Sequence, residues 1–353
     1  MKRIILSVLH KHNTMRQYSY IAFLLFISLP YVAFGQDDSY IGVEKINISQ
    51  KDNGYSCYQW NKPRNWGSMQ AIDTSLLSVA YDYSFRVKEE EGFHTLRDLD
   101  ILQIGRRVNR FYSGYSQRVD SIAFNYLMSM AQKHFDVLRP DWTPSRLSRT
   151  LYSWIPEGVC PLYLDVYTNH STGMRTVSSR FQYDEYQYTE HKEPFKWTMV
   201  AGTDTIMGYP CNKAEATFRG RKWIAYYTLD ISYSYGPWKF SGLPGLILKV
   251  TDEKELFRWE AVGISKPKDE PICEFVAGYS TDKRIYVWIP DRKVRKCSRK
   301  EMERLWKRFW NAPLSIQALD KMEVVFTDNK KEVKVSVADP VPEDYYPKLE
   351  LDL

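Results

Sequence analysis

The sequence predicts an α+β protein built on a large, curved antiparallel β-sheet with helices packed on one face. Three observations carry that expectation. Aromatic residues are abundant, with 11 Trp, 26 Tyr and 16 Phe in 353 residues, and aromatics favour strands. Short aromatic or β-branched runs recur between turn residues, the pattern of an antiparallel meander. Two other segments carry apolar residues at helical spacing. A half-barrel of the lipoprotein-carrier type suits this order of elements, by analogy of fold alone.

The first element is not part of that fold. "MRQYSYIAFLLFISLPYVAFGQ" starts at Met15 with Arg16 as its positive end, runs apolar from Ile21 to Leu29, breaks at Pro30, and offers small residues at Ala33 and Gly35. These are the parts of an export signal, and the apolar run is shorter than the ~20 residues of a membrane span. Residues 1–35 are therefore expected to be a signal peptide, with 1–14 as an upstream extension. Residues 36–353 form a single domain with a helical and irregular insertion at about 115–190. Lys2, Arg3, Lys11 and Arg16 leave with the signal and no acid does, so the formal charge falls from +6 to +2. A near-neutral exported chain has no electrostatic motive to bind nucleic acid.

Along the domain, residues 36–60 read as irregular. "LSVAYDYSFRV" (77–87) alternates as a strand, "EEEG" (89–92) turns, and "TLRDLDILQIG" returns. Gly105-Arg106 turns again before "RVNRFYS". Asp120 or Ser121 caps a helix carrying Ile122, Ala123, Tyr126, Leu127 and Met130, which Arg139-Pro140 ends. "FQYDEYQY" (181–188) reads as a strand or a tyrosine-rich loop. "FKWTMV" and "TDTIMGYPC" frame a turn at "AGTD", and "KAEATF" meets "KWIAYYTL" across Arg219-Gly220-Arg221. "LFRWEAVGI" and "RIYVWIP" continue the meander. Ser298 and Glu301 form a capping box, and Met302, Leu305, Trp306 and Phe309 make one apolar helix face. A hairpin about Asp328-Asn329 closes the domain.

Chemistry is sparse. None of His94, His134, His170 and His191 sits at a metal-ligand spacing, and no nucleophile elbow or P-loop occurs. Asp98 and Asp100 are two apart and share one side of their strand. The basic run "RKVRKCSRK" (292–300) suits lipid phosphates or an acidic polymer, or is a solvated approach to the last helix. The domain holds Cys57, Cys160, Cys211, Cys273 and Cys297, an odd count without a CxxC. Cys297 is either a free thiol of depressed pKa among cations or disulfide-bonded to Cys273.

The densest signal is "GPWKFSGLPGLILKV" (236–250). Gly and Pro mark loops, yet the stretch is apolar. It reads as turns at Gly236-Pro237 and Gly242-Leu243-Pro244-Gly245, the latter of type II with Gly245 at φ > 0, followed by a strand from Leu246 covered on both faces. With Trp197, with Gly208, Tyr209, Cys211, Lys213 and Ala214 in "GYPCNKA", and with Gly220-Arg221, this stretch resembles the GLPGLI family of exported proteins of Bacteroidota-type bacteria. Gly242, Leu243, Pro244, Gly245, Leu246 and Ile247 spell the name motif, and Gly236, Pro237 and Phe240 precede it. "YYPKLELDL" is similar to the family's ending, with Tyr346 where Asn is usual. The resemblance covers about two thirds of residues 36–353, not 122–190.

The resemblance implies an envelope protein, periplasmic or on the periplasmic face of the outer membrane, considered alongside TonB-dependent receptors. It brings no catalytic residue, metal or cofactor, and its motif positions read as structural. The leading expectation is a non-enzymatic binding or accessory protein holding an apolar or aromatic ligand in the sheet's concavity or presenting an edge to an outer-membrane partner. The alternatives are an envelope hydrolase of glycan or peptide, using carboxylates gathered by the fold, and a purely structural module.

Overall fold

The structure, a computed structural model, describes residues 69–89, 92–118, 120–122, 163–181, 184–276, 294–311, 325–328, 331–334 and 348–352. The export signal, Cys57, Cys160, most of the helix expected after Asp120 and the strand expected at "RIYVWIP" lie outside them. Strands β1 (Met69–Glu89), β2 (Gly92–Gly105), β3 (Val108–Ser113), β4 (Leu164–Asn169), β5 (Met174–Phe181), β6 (Asp184–His191), β7 (Thr198–Ile206), β8 (Tyr209–Phe218), β9 (Arg221–Thr228), β10 (Leu246–Asp252), β11 (Phe257–Ser265), β12 (Pro271–Phe275) and β13 (Val294–Lys296) precede helix α1 (Arg299–Asn311). β14 (Val325–Asp328) and β15 (Lys331–Lys334) pair with each other as the expected terminal hairpin.

The protein is mostly β, with few helical residues among those described. One 13-stranded sheet runs β13-β6-β5-β4-β3-β2-β1-β11-β10-β9-β8-β7, with β12 also on β1. It is open and mixed rather than wholly antiparallel, because β13 joins β6 in parallel. Alternation sets its core face. In β1, Leu77, Val79, Tyr81, Tyr83, Phe85 and Val87 are buried at period two. Leu96, Leu102 and Ile104 on β2 extend that face.

Two expectations need correction. The stretch 164–181, expected to belong to a helical and irregular insertion, forms β4 and β5, and of the two readings of 181–188 the strand holds, as β6. Buried positions across these strands include Arg175, Ser178, Ser179, Arg180 and Glu185, so the strands lack the apolar contrast that marks a half-buried strand. The turn expected at "AGTD" is a bulge within β7 between Val200 and Thr203, opened by Gly202 at φ 130°. The chain reverses instead at Met207-Gly208, with φ of 53° and 85° between the paired Ile206 and Tyr209, as a two-residue primed hairpin turn needs. Arg219-Gly220 does the same between β8 and β9, at 53° and 75°, where a turn was expected.

Helix ends follow capping chemistry. Glu301 N donates to Ser298 Oγ at 3.2 Å and Ser298 N to Glu301 Oε2 at 2.6 Å, the expected capping box. The earlier helical segment begins at 114, not at Asp120. Ser113 Oγ accepts from Ser116 N at 3.1 Å and caps it. Asp120 instead meets the buried Arg180 Nη1 at 2.7 Å.

The sheet curls strongly. Arg219, in the β8–β9 turn, lies 3.0 Å from Glu190 on β6. β6 and β9 are eight strand positions apart in the sheet, about 38 Å if it were flat at ~4.8 Å per strand. Curling brings Trp223 on β9 and Trp259 on β11 onto the loop aromatics Trp238 and Phe240, with Trp223–Phe240 at 4.9 Å and Trp238–Phe240 at 5.3 Å. Tyr83 stacks on Trp259 at 4.4 Å. The space within the curl is therefore occupied by the chain's own 236–243 segment, with Leu243 fully buried.

Glycine's two uses separate in one experiment. A Cβ on Gly245 would stand 1.9 Å from the Thr228 carbonyl oxygen, whereas Gly208 has open space and needs only its positive φ. Urea denaturation of Gly245→Ala is expected to lose about 3 kcal/mol or more through forced backbone displacement. Gly208→Ala should lose ~1 kcal/mol.

Candidate functional site

The site is built on "GPWKFS". Gly236 N donates to the Phe240 carbonyl and Phe240 N to the Pro237 carbonyl, each at 3.0 Å. The tight loop holds Trp238 at φ 49°, a costly conformation for a bulky residue that needs firm packing. Trp238 has that packing, lying parallel to Trp259 at 6.5 Å. Gly236 is required by contact, since a Cβ there would meet Ile247 Cβ at 2.8 Å. Trp197 Nε1 ties the far end by donating to the Ser241 carbonyl at 2.9 Å.

The loop drives Lys239 into the interior. Its side chain is 0% exposed, and Nζ lies 2.6 Å from Glu350 Oε1 and 2.7 Å from Glu190 Oε1. The first contact is also a hydrogen bond, as is the 2.9 Å donation to Tyr188 Oη. The second is an ion pair without hydrogen-bond alignment. A buried ammonium persists only with such partners.

Three arginines extend the cluster. Arg219 reaches Glu190 and Glu193, each at 3.0 Å, and Asp352 at 3.4 Å. Arg299, at the start of α1, donates to Glu350 at 2.7 Å and Asp352 at 2.8 Å. Arg221 pairs with Asp252 at 2.8 Å and donates from Nε to the Lys348 carbonyl at 3.0 Å. Residues 348–352 are thus clasped against the turn after β8, with Leu351 N donating to the Arg219 carbonyl at 2.7 Å. Burial alone would raise Glu350, but Lys239, then Arg299 and Arg219, hold it below the usual carboxylate range. At Glu303 on α1, burial followed by the Glu350 charge outweighs Lys239, Lys348 and Arg299, and pushes it up to about 7.

Beside the cluster lies a small, partly open cavity of about 20 Å³. Its polar lining includes Asn109, Thr168, Arg175, Lys192, Tyr235 and Ser241. Trp238, Lys239 and Phe240 complete one wall. Arg175, 2% exposed, donates from Nη2 to the Lys239 carbonyl at 2.9 Å, but its Nη1 makes no hydrogen bond. Ser241 Oγ, also buried, makes none either. His170 stacks on Tyr235 at 5.3 Å and meets Asn109 Oδ1 through Nε2 at 2.9 Å.

Of the residues singled out in the sequence, Gly236, Phe240 and the neighbouring Ser241 wall this cavity. Pro237, Gly242, Leu243 and Gly245 shape the loop around it. Gly245 does so by close approach to Thr228 rather than through the φ > 0 of a type II turn, and the positive φ of 97° falls on Gly242. Leu246 and Ile247 are fully buried at the start of β10, as a strand covered on both faces requires. Arg221 and Gly220 serve the clasp, Gly220 by leaving room for Leu351. Gly208, Tyr209 and Lys213 lie on the β7–β8 hairpin, Lys213 in an ion pair with Glu215 at 3.7 Å.

The cysteines depart from expectation. Cys211, Cys273 and Cys297 are free thiols, so no Cys273–Cys297 disulfide forms. Burial raises all three, Cys211 to about 11. Cys297 rises rather than falls because burial and then Glu301 outweigh the basic run. Asp98 and Asp100 are both buried, as neighbours on one side of β2. Ser113 Oγ donates to Asp98 at 3.0 Å and Trp259 Nε1 to Asp100 at 2.9 Å. Burial and then Asp98 hold Asp100 well above the usual carboxylate range.

Arg175, Lys192, Lys239 and Ser241 escaped sequence reasoning. The available signal was a lysine enclosed by aromatics in "PWKF", a setting that demands a buried counter-ion. No protein family and no curated protein matches the chain. Solved structures titled "Structure of PNGF-II in P21 space group" and "Structure of PNGF-II in C2 space group" are similar at 13% identity, with TM-scores of 0.38 and 0.37. They cover 66% and 65% of this chain, which spans 33% and 32% of theirs.

Two measurements probe the clasp. Lys239→Met, which leaves Glu350 to Arg299 and Glu190 to Arg219, is expected to lower unfolding free energy by about 3 kcal/mol, the low end for breaking a buried pair. Glu303 gives a pH signature. Its folded pKa lies above its unfolded one, so between about pH 5 and 7 the folded chain holds a proton that the unfolded chain releases. Stability should therefore fall as pH rises through that window, and Glu303→Gln should flatten the fall in a pH series of urea midpoints.

Proposed function

We propose that the chain is a non-enzymatic binding or accessory protein of the bacterial cell envelope, acting beside an outer-membrane receptor of the TonB-dependent type. The observation that carries the reading is the cavity walled by residues 236–241. It lies beside an ion-pair clasp, and its lining includes two residues, Arg175 and Ser241, with a buried side-chain atom that makes no hydrogen bond. Preorganised donors at a small opening suit recognition, because binding then costs little ordering. The resemblance of Trp197, "GYPCNKA" and "GLPGLI" to an exported family supports the envelope setting, as does the signal-like 1–35 segment. In this reading the curled sheet is a half-barrel of the carrier type with α1 against one face. An apolar body of the ligand would lie outside the curl, whose interior Trp238 and Phe240 already fill.

A second reading has its own observation. The Asp98–Asp100 pair, with Asp100 raised, is the kind of acid arrangement a hydrolase of envelope glycan or peptide uses. Its setting in the core, held by Ser113 and Trp259, favours a structural role.

Fractionation and crosslinking of the tagged full chain in its native host test the first reading. The expected outcome is recovery from the envelope, cleaved near residue 35, with an outer-membrane receptor enriched. Recovery in the cytosol at full length would overturn it. Product release from envelope glycan or peptide that Asp100→Asn abolishes would replace it with the second.

A further inference from the structure

We propose that the cavity beside Lys239 is a carboxylate-binding site, in which Arg175, Lys192 and Ser241 supply the donors. The proposal rests on the binding reading above and names the chemistry that the site recognises.

Arg175 is fixed before any ligand arrives. Nη2 donates to the Lys239 carbonyl at 2.9 Å and Nε points to Thr168 Oγ1 at 3.4 Å. Nη1 has no hydrogen bond, and Glu190 Oε1 stands 3.7 Å away with Lys239 already on it at 2.7 Å. Ser241 Oγ is a second buried group without a partner. Unmet donors of this kind are rare in folded interiors and cost about 1–3 kcal/mol each unless something binds them.

Lys192 is the third donor. It is half-buried, with Nζ 5.5 Å from the centre of the Tyr235 ring, and makes no ion pair among the described residues. The lining contains no Asp or Glu. Glu190 and Glu350 face Lys239 and the arginines of the clasp, so the charge of Lys192 is left for an outside anion.

Donor geometry selects within the anions. The cavity is small and open on one side, so it receives one end of an anion while the rest stays outside. A carboxylate also presents two acceptors in one plane, which suits a guanidinium N–H beside a hydroxyl. The rest of the ligand would stay at the mouth, beside Tyr235. A free organic acid and the C-terminus of a peptide share this chemistry.

The test titrates the full chain with sodium acetate at constant ionic strength, balanced with sodium chloride, reading tryptophan fluorescence and thermal melting. Trialanine and trialanine amide are run in parallel. Ser241→Ala and Lys192→Gln, each first shown to melt cooperatively, are run beside the wild type. The expected result is a saturable response to acetate that each variant weakens by about ten-fold, the worth of one charge-assisted hydrogen bond. Tighter binding of trialanine than of acetate or of the amide assigns the site to peptide C-termini, and acetate binding alone assigns it to small acids. No saturable response to either carboxylate, or one that both variants retain at wild-type strength, overturns the proposal and leaves the cavity to water. Envelope recovery with a receptor but without carboxylate binding would sink this inference and leave the binding reading intact.

Discussion

A buried ammonium constrains everything around it. Lys239 has no exposed side-chain surface, so it must be met by carboxylates or lose its charge. Glu190 comes from β6 and Glu350 from five residues of the described C-terminal end. Arg219 and Arg299 then balance those acids from the β8–β9 turn and the start of α1. One cluster thereby joins five parts of the chain that are distant in sequence. The sheet is open by its hydrogen-bonded ladders, and its curl is held across the gap by charge.

The aromatic loop makes that constraint possible. Lys239 stands between Trp238 and Phe240, which fill the curl against Trp223 and Trp259. Gly236 and Gly245 let the loop lie directly on Ile247 and on the Thr228 carbonyl. Apolar packing fixes the backbone, and the fixed backbone commits the lysine to the interior. The cavity is a by-product of the same geometry, because Arg175 spends one amino group holding the Lys239 carbonyl and keeps the other unbonded. Packing, charge and the unmet donors are therefore one arrangement seen from three sides.

Much of the sheet was legible in residue order. Alternation at 77–87 and 96–104, the Arg219-Gly220 turn and the Ser298–Glu301 box each depend on neighbours within a few positions, and each stands where the pattern places it. β4 and β5 were hidden because their buried positions carry Arg and Ser, and the partners that make burial of Arg175 and Arg180 tolerable, the Lys239 carbonyl and Asp120, lie 64 and 60 residues away. Gly245 was read for the wrong virtue, since a backbone at 1.9 Å from its absent Cβ leaves no trace in its own neighbourhood. Cys297 was read from nearby cations, whereas burial decides its proton affinity.

By itself the sequence determined the β-rich class, the main turns, the helix cap and the prominence of residues 236–250, because periodicity and turn chemistry act locally. Only the tertiary structure decided that the sheet curls until β6 meets the turn after β8, that Cys273 and Cys297 are not bridged, and that Lys239 rather than the motif's glycines is the hub. The reason is physical. Ion pairs such as Lys239–Glu350 join residues 111 positions apart, and which cation meets which acid is set by the path of the backbone, not by the spacing of residues along it.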